Sequence, residues 1–171
     1  MKLFSAFSIF LMVVAFGSCN SKNNPSEEAN TGTTASLPQK IGPSTAQIKA
    51  SLTEKGFQLF DYVNQKTGDT VLMQQYFIAF LKKGPKRSQS KEEADSLQAL
   101  HMAHLGRMYE EGFADISGPF GDDGEIRGIT IYNVPTLQMA DSLANMDPMV
   151  KAGRLMIEIH PWWAAKGFPL R

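Results

Sequence analysis

The order of apolar patterns between residues 75 and 162 constrains the fold of this chain more than any other feature of its sequence. Two segments have the apolar repeat of helices, and four shorter ones have the character of strands. In chain order, the predicted elements are a strand (75–84), a helix (90–112), a strand (113–120), a strand (126–134), a helix (136–146) and a strand (154–162). This is the ferredoxin-like βαββαβ order. It predicts an α+β domain with an antiparallel sheet and two helices on one face.

The first predicted strand contains the run YFIAFL, which is apolar at every position. In a strand with one solvent-exposed face, apolar and polar residues alternate. An unbroken apolar run is therefore typical of a strand that is covered on both faces. The two helices cover only one face of the sheet. We therefore expect the other face to be covered by a second subunit, or by residues 44–73, which are predicted to form a short helix and a hairpin.

The first 19 residues have the pattern of a secretory signal. Lys2 precedes a mostly apolar stretch that ends in Gly17, Ser18 and Cys19, and this stretch is too short to span a membrane. Cys19 is the only cysteine in the chain. Its place directly after small residues resembles a bacterial lipoprotein signal, although an ordinary secretory signal is the alternative. A lipid on Cys19 would anchor the protein to a bacterial membrane in the cell envelope, on the periplasmic or the outer side.

Small and polar residues dominate the segment after the signal, which has too little apolar surface to offset the entropy lost on ordering. The predicted organisation is a signal peptide (1–19), a disordered tether (20–43), an N-terminal extension (44–73), the βαββαβ domain (74–163) and a C-terminal tail (164–171). The 17 basic and 17 acidic residues balance each other. A chain without net positive charge has no electrostatic footprint for nucleic acid, so we expect no nucleic-acid partner.

The first helix of the domain carries two of the three histidines. His101 and His104 fall on its apolar stripe and so face the sheet or the edge of the helix layer. A histidine in this position is either packed in the core or tuned by a nearby carboxylate for proton transfer, and spacing alone favours packing. A shared metal is a third option. No cysteine ligand and no HExxH pattern accompany the pair, so we predict neither a metal nor a cofactor.

Asp147 follows the second helix of the domain, directly before a proline. An aspartate at this position commonly starts a turn. If Asp147 instead points to the same side of the sheet as His101, its carboxylate would fix the imidazole tautomer and leave the other ring nitrogen as a general base or acid. The residues predicted to line a pocket without reacting are His104, Ser117, Gly118 and Pro119.

Three stretches, HMAHLGRMYEEG, SGPFGDDG and MDPMVKAG, occur in this order and resemble the YciI-like or YCII-related family, of the dimeric α+β barrel class. The resemblance covers about residues 75–162. It implies a homodimer and a small enzyme with a histidine–aspartate pair, here His101 and Asp147. His104 falls where the family varies, which favours a packing role for this residue.

These observations lead to the hypothesis of a small cofactor-free enzyme, of the lyase or isomerase type, that acts on a small organic molecule. The pair of His101 and Asp147 would perform general acid–base chemistry. A non-catalytic, surface-anchored module that binds a ligand or a partner is the alternative, and a purely structural dimer unit is a third possibility. The accessibility and protonation of His101 distinguish them, because an enzyme needs this residue to reach its substrate.

Overall fold

The computed structural model describes residues 42–170. The predicted signal peptide, including Cys19, and residues 20–41 of the predicted tether lie outside the described residues. None of the helices within residues 42–170 combines the length and the apolar character that crossing a membrane requires.

The described residues form four helices and five strands. In chain order they are α1 (Thr45–Glu54), β1 (Leu59–Val63), β2 (Thr70–Lys83), α2 (Lys91–Glu110), β3 (Ala114–Pro119), β4 (Ile126–Tyr132), α3 (Leu137–Asn145), α4 (Pro148–Lys151) and β5 (Leu155–Ala165). From β2 to β5 this is the predicted order, with the single-turn helix α4 added before the last strand. At the start of α2, the Ser90 hydroxyl accepts the Glu93 N–H, and the Glu93 carboxylate accepts the Ser90 N–H. This capping box confirms the predicted start of the helix.

One antiparallel sheet contains all five strands, with β2 at its centre. β4 pairs with one edge of β2 and is followed by β3, whereas β5 pairs along the opposite edge. Gln74 of β2 lies opposite Leu59 of β1 and also opposite Ala164 of β5, so β1 shares the edge that β4 occupies. Without β1, the strand order is β5–β2–β4–β3. The predicted α+β, ferredoxin-like class is confirmed.

β2 is longer than the strand predicted from the sequence. It starts at Thr70, within the predicted N-terminal hairpin, and continues without a break to Lys83. Its first residues pair with β1 and its later ones with β4. The predicted boundary at residue 74 therefore falls inside a strand. The end of the predicted hairpin and the predicted first strand both have strand character, so their sequences do not show whether they are one strand or two. Only the pairing with neighbouring strands shows that they form one element.

The hydrophobic core lies between the sheet and the helices α2 and α3. β2 contributes Phe77 and Ala79, α2 contributes Met108, and α3 contributes Ala140 and Ala144. The two alanines are fully buried or nearly so, and their small side chains let α3 lie close to the sheet. This packing holds the inner face of α2 against β2 and β4, which fixes the position of the histidines on that helix.

The opposite face of the sheet, here called the second face, carries Tyr76, Ile78 and Phe80 of β2. Ile78 and Phe80 are only partly buried, and Met156 and Trp162 of the neighbouring β5 are 43% and 42% exposed. α1 packs against β1 and the start of β2, but β1 extends the sheet at its edge and does not cover it. The sequence predicted that β2 is buried on both faces. In the single chain, it is fully buried only on the face that packs against the helices.

Candidate functional site

His101 and Asp147 are in direct contact, although they are 46 residues apart in sequence. The Nδ1 atom of His101 lies 2.5 Å from Oδ2 of Asp147. The His101 side chain is 10% exposed and the Asp147 side chain 3% exposed. A hydrogen bond this short between buried groups fixes the imidazole ring in one orientation.

The local fold around α4 explains where the Asp147 carboxylate points. Asp147 is the N-cap of α4, and its Oδ1 accepts the N–H of Met149 at 2.8 Å. Pro148 occupies the first helical position, where its missing N–H costs nothing. One carboxylate oxygen is thus held by the backbone while the other contacts His101. The turn-starting role and the partnership with histidine, which the sequence presents as alternatives, occur together.

This contact sets the chemistry available to His101. An ionised carboxylate can only accept hydrogen bonds, so Nδ1 of His101 carries the ring proton and donates a hydrogen bond to Asp147. In the neutral ring, Nε2 then has the free lone pair and can accept a proton. When it does so, Asp147 stabilises the resulting imidazolium through the same contact.

His101 lines a cavity of about 900 Å³ that opens between α2 and β3. This volume is in the range of known small-molecule sites. Ser117, Gly118 and Pro119 on β3 line the same cavity, so the structure brings these three predicted pocket residues together with His101. The Ser117 hydroxyl lies 3.1 Å from the hydroxyl of the buried Thr130 and is therefore partnered by that group.

His104 is one turn beyond His101 on α2 but does not line this cavity. It is only 3% exposed, its Nδ1 lies 3.1 Å from Nη2 of Arg107, and its Nε2 has no hydrogen-bond partner among the described residues. Because the guanidinium can only donate, Nδ1 is the acceptor and Nε2 carries the proton. Burial lowers the pKa of His104, and the positive charge of Arg107 adds to this effect against the opposing charge of Asp147. His104 is a neutral histidine of the core, as its place in the family pattern suggested.

We predict that this buried histidine makes the fold sensitive to acid. Below the ordinary histidine pKa of about 6.5, the unfolded chain binds a proton that folded His104 does not. The free energy of unfolding should therefore fall as the pH decreases, with a contribution from His104 of at most about 1.4 kcal/mol per pH unit. Urea unfolding of the wild type and of His104→Gln between about pH 6.5 and pH 5 measures this contribution. Equal pH slopes for the two proteins would contradict it.

Tyr132 is a further residue near the pair that the sequence pattern did not single out. It ends β4 on the inner face of the sheet and is 2% exposed. Burial raises the pKa of the Tyr132 phenol, and the negative charge of Asp147 raises it further. Tyr132 therefore remains a neutral phenol beside the carboxylate. The sequence contains one indication of this residue, which is that the alternation along β4 turns its side chain toward the core.

The described residues contain no group of three or more histidine, cysteine, aspartate or glutamate side chains that could hold a metal ion. The arrangement seen in residues 42–170 is thus a histidine–aspartate pair in the wall of a cavity.

The YCII-related domain family matches residues 76–163 of the chain. The chain belongs to the YCII-related family. The predicted family is therefore confirmed, and the YCII-related domain contains both His101 and Asp147. It starts inside β2 and ends inside β5, so α1 and β1 lie outside the matched range.

Among solved structures, the chain is similar to 5-chloro-2-hydroxyhydroquinone dehydrochlorinase from Burkholderia phenoliruptrix AC1100, determined in complex with 2,5-dihydroxybenzoquinone. The two are 20% identical, with a TM-score of 0.40. The similarity covers 51% of this chain and 92% of the dehydrochlorinase chain. No curated protein sequence matches the chain significantly.

Proposed function

We propose that this YCII-related protein is a small enzyme that moves a proton on an organic molecule bound in the cavity beside His101. In this proposal, Nε2 of His101 is the general base or acid. Asp147 holds the ring and stabilises its protonated form. The proton transfer needs no metal and no organic cofactor.

The observation that carries the proposal is the 2.5 Å contact between Nδ1 of His101 and Asp147 in the cavity wall. The orienting bond uses Nδ1, so Nε2 is left for a ligand. An oriented histidine that reaches a small-molecule cavity is the usual arrangement for general acid–base catalysis.

The reactions that suit such a pair begin with removal of a proton from carbon or oxygen. In an isomerisation, His101 would return the same proton at another atom of the substrate. In an elimination, the electron pair of the broken bond would expel a leaving group, and protonated His101 would be beside the departing atom. Both reactions need one group that accepts and returns a proton, which is the role proposed for His101.

Deuterium incorporation from D₂O tests the proposal before the substrate is known. The protein is incubated with a panel of small carbonyl compounds and hydroxylated aromatic acids, and mass spectrometry detects exchanged C–H positions. We expect exchange on at least one compound, with a loss of roughly 10²–10⁴-fold in His101→Asn. His160→Asn is the matched control, since His160 is on the opposite face of the sheet from the cavity and does not line it. Exchange that is unaffected by His101→Asn would contradict the proposal and favour a non-catalytic binding module.

The proposed assembly is a homodimer in which the second faces of two sheets pack together. The support for it is the partly exposed apolar surface around Ile78 and Phe80, since soluble monomers seldom leave large apolar patches open to water.

We also propose that the protein is held at a bacterial membrane by a lipid on Cys19. The support is the sequence pattern of residues 1–19, which lie outside the described residues. Cys19→Ser in full-length protein should move the protein from the membrane fraction to the soluble fraction. Ser18→Ala, which leaves a small residue before Cys19, is the control and should remain in the membrane fraction. A Cys19→Ser protein that stays with the membranes would contradict the proposed anchor.

A further inference from the structure

We infer that the cavity binds a small organic acid and that Arg87 and Arg154 hold its carboxylate at the end of the cavity nearest the start of α2. This inference names a substrate class for the proposed enzyme and rests on that proposal only for the role of His101. The cavity and its charges are independent of any reaction.

Arg87 and Arg154 are brought together by backbone contacts between two segments. The Gly84 N–H donates to the Arg154 carbonyl at 3.0 Å, and the Lys86 N–H donates to the Gly153 carbonyl at 3.0 Å. A Cβ atom at Gly84 would overlap the backbone of Gly153, so the close approach requires glycine. Nη1 of Arg87 also donates to the Arg154 carbonyl at 3.3 Å. The segment after β2 and the residues after α4 thus bring Arg87, which is exposed, and Arg154, which is half-buried, to the wall of one cavity. Arg127 also lines this cavity but is paired with Asp123.

Among the described residues, the charges in the cavity wall leave Arg87 and Arg154 without a counterion. The acidic residues of the wall have other partners, since Asp95 contacts Lys91 at 2.5 Å and Asp115 accepts from Asn133 at 3.2 Å. Within residues 42–170, no carboxylate lies at ion-pair distance from Arg87 or Arg154. The end of the cavity that they line therefore favours a negative group.

Each of the two guanidiniums makes one hydrogen bond to another residue within residues 42–170. Nη1 of Arg154 donates to the side-chain oxygen of Gln89 at 3.0 Å, and Nη1 of Arg87 donates to the carbonyl described above. A guanidinium has five N–H donors, so most remain for a ligand. The planar array of donors matches a carboxylate, which can accept two parallel hydrogen bonds. The contact of Arg154 with Gln89 places it beside the Ser90 cap of α2.

The remaining cavity wall suits the apolar body of such an acid. Leu81, Met149 and Leu155 line the cavity together with the two arginines. Ala94 and His101 both line it and lie seven residues apart on α2, which corresponds to about 10 Å along the helix. The cavity wall therefore extends along about two turns of α2.

Binding of matched acids and amides to the full chain tests this inference. Dissociation constants are measured by protein-observed NMR for benzoate against benzamide and for 3-phenylpropanoate against 3-phenylpropanamide, with phenyl phosphate as a second anion. We expect each carboxylate to bind at least about tenfold more tightly than its amide. Arg154→Gln and Arg87→Gln should each weaken carboxylate binding about fivefold or more and leave amide binding unchanged. Arg154→Lys should keep part of the preference, because it keeps the charge but loses the planar donors.

Lys86→Gln is the matched control, because it removes a neighbouring positive charge whose side chain is outside the cavity wall. It should leave the preference for carboxylates unchanged. The inference is overturned if carboxylates and amides bind equally or not at all, if the preference survives both glutamine variants, or if phenyl phosphate is preferred. Deuterium exchange that depends on His101 without any carboxylate preference would overturn this inference alone. A carboxylate preference without His101-dependent exchange would overturn only the proposed reaction.

Discussion

Replacing Asp147 with alanine should destabilise the protein by about 3 kcal/mol and remove most of the proposed proton transfer. The change deletes two acceptors at once. The Met149 N–H loses its cap, and the buried Nδ1–H of His101 loses the oxygen to which it donates. Buried donors without partners are expensive, and the lost cap adds to the cost. The melting temperature should fall by roughly 10 °C, measured by thermal unfolding.

Two further variants separate stability from catalysis at this position. Asp147→Asn keeps the shape and one acceptor oxygen, so it should cost less stability but still reduce deuterium exchange by roughly 10²–10⁴-fold, because the charge that supports protonated His101 is gone. Asp141→Ala removes an exposed aspartate of α3 and should change stability by less than about 0.5 kcal/mol. Equal losses of stability in Asp147→Ala and Asp141→Ala would contradict the structural role assigned to Asp147.

Replacing Ile78 with aspartate should convert the proposed homodimer into monomers. Ile78 is at the middle of the second face, opposite Ile131 of β4 and His160 of β5. A carboxylate there would have to lose its hydration at the centre of the interface in a dimer that packs through this face. We expect the dimer to weaken by at least about 100-fold, equivalent to about 3 kcal/mol.

Light scattering coupled to size-exclusion chromatography, over a range of protein concentrations, measures this change. Leu100→Asp is the control, since Leu100 is 51% exposed on α2 and belongs neither to the second face nor to the cavity wall. It should leave the dimer intact. A wild-type protein that is monomeric at micromolar concentration, or an Ile78→Asp protein that remains dimeric, would contradict the proposed assembly.

The elements that were predictable from the sequence are those with strong local signals. α2 has a long apolar stripe, a serine cap at Ser90 and a glycine at position 112, whose φ of 74° suits the end of a helix. β5 was predictable because Leu155, Ile157 and Ile159 alternate with other residues, which is the pattern of a strand with one buried face. α4 was not predicted, because its four residues are too few to show periodicity.

The candidate site depends on contacts between distant residues, and local patterns predict these less well. The apolar stripe of α2 predicts that both His101 and His104 face the sheet, and it does not distinguish their roles. Their contacts do, since His101 contacts Asp147 and His104 contacts Arg107. The family resemblance, not the spacing, paired His101 with Asp147. The meeting of Arg87 and Arg154 has no local signal, because it follows from backbone contacts between segments 67 residues apart.

The tautomers of the two buried histidines provide a direct test of the role assigned to the contact between His101 and Asp147. Long-range ¹H–¹⁵N NMR spectra of histidine-labelled protein, recorded above neutral pH, report which ring nitrogen carries the proton. We expect opposite tautomers on the same helix, with the proton on Nδ1 of His101 and on Nε2 of His104. We also expect the strongly hydrogen-bonded His101 Nδ1–H signal to be lost in Asp147→Ala. A His101 ring that carries its proton on Nε2 would contradict the proposed role of the pair, because Asp147 would then not orient the ring and Nε2 would not be a base.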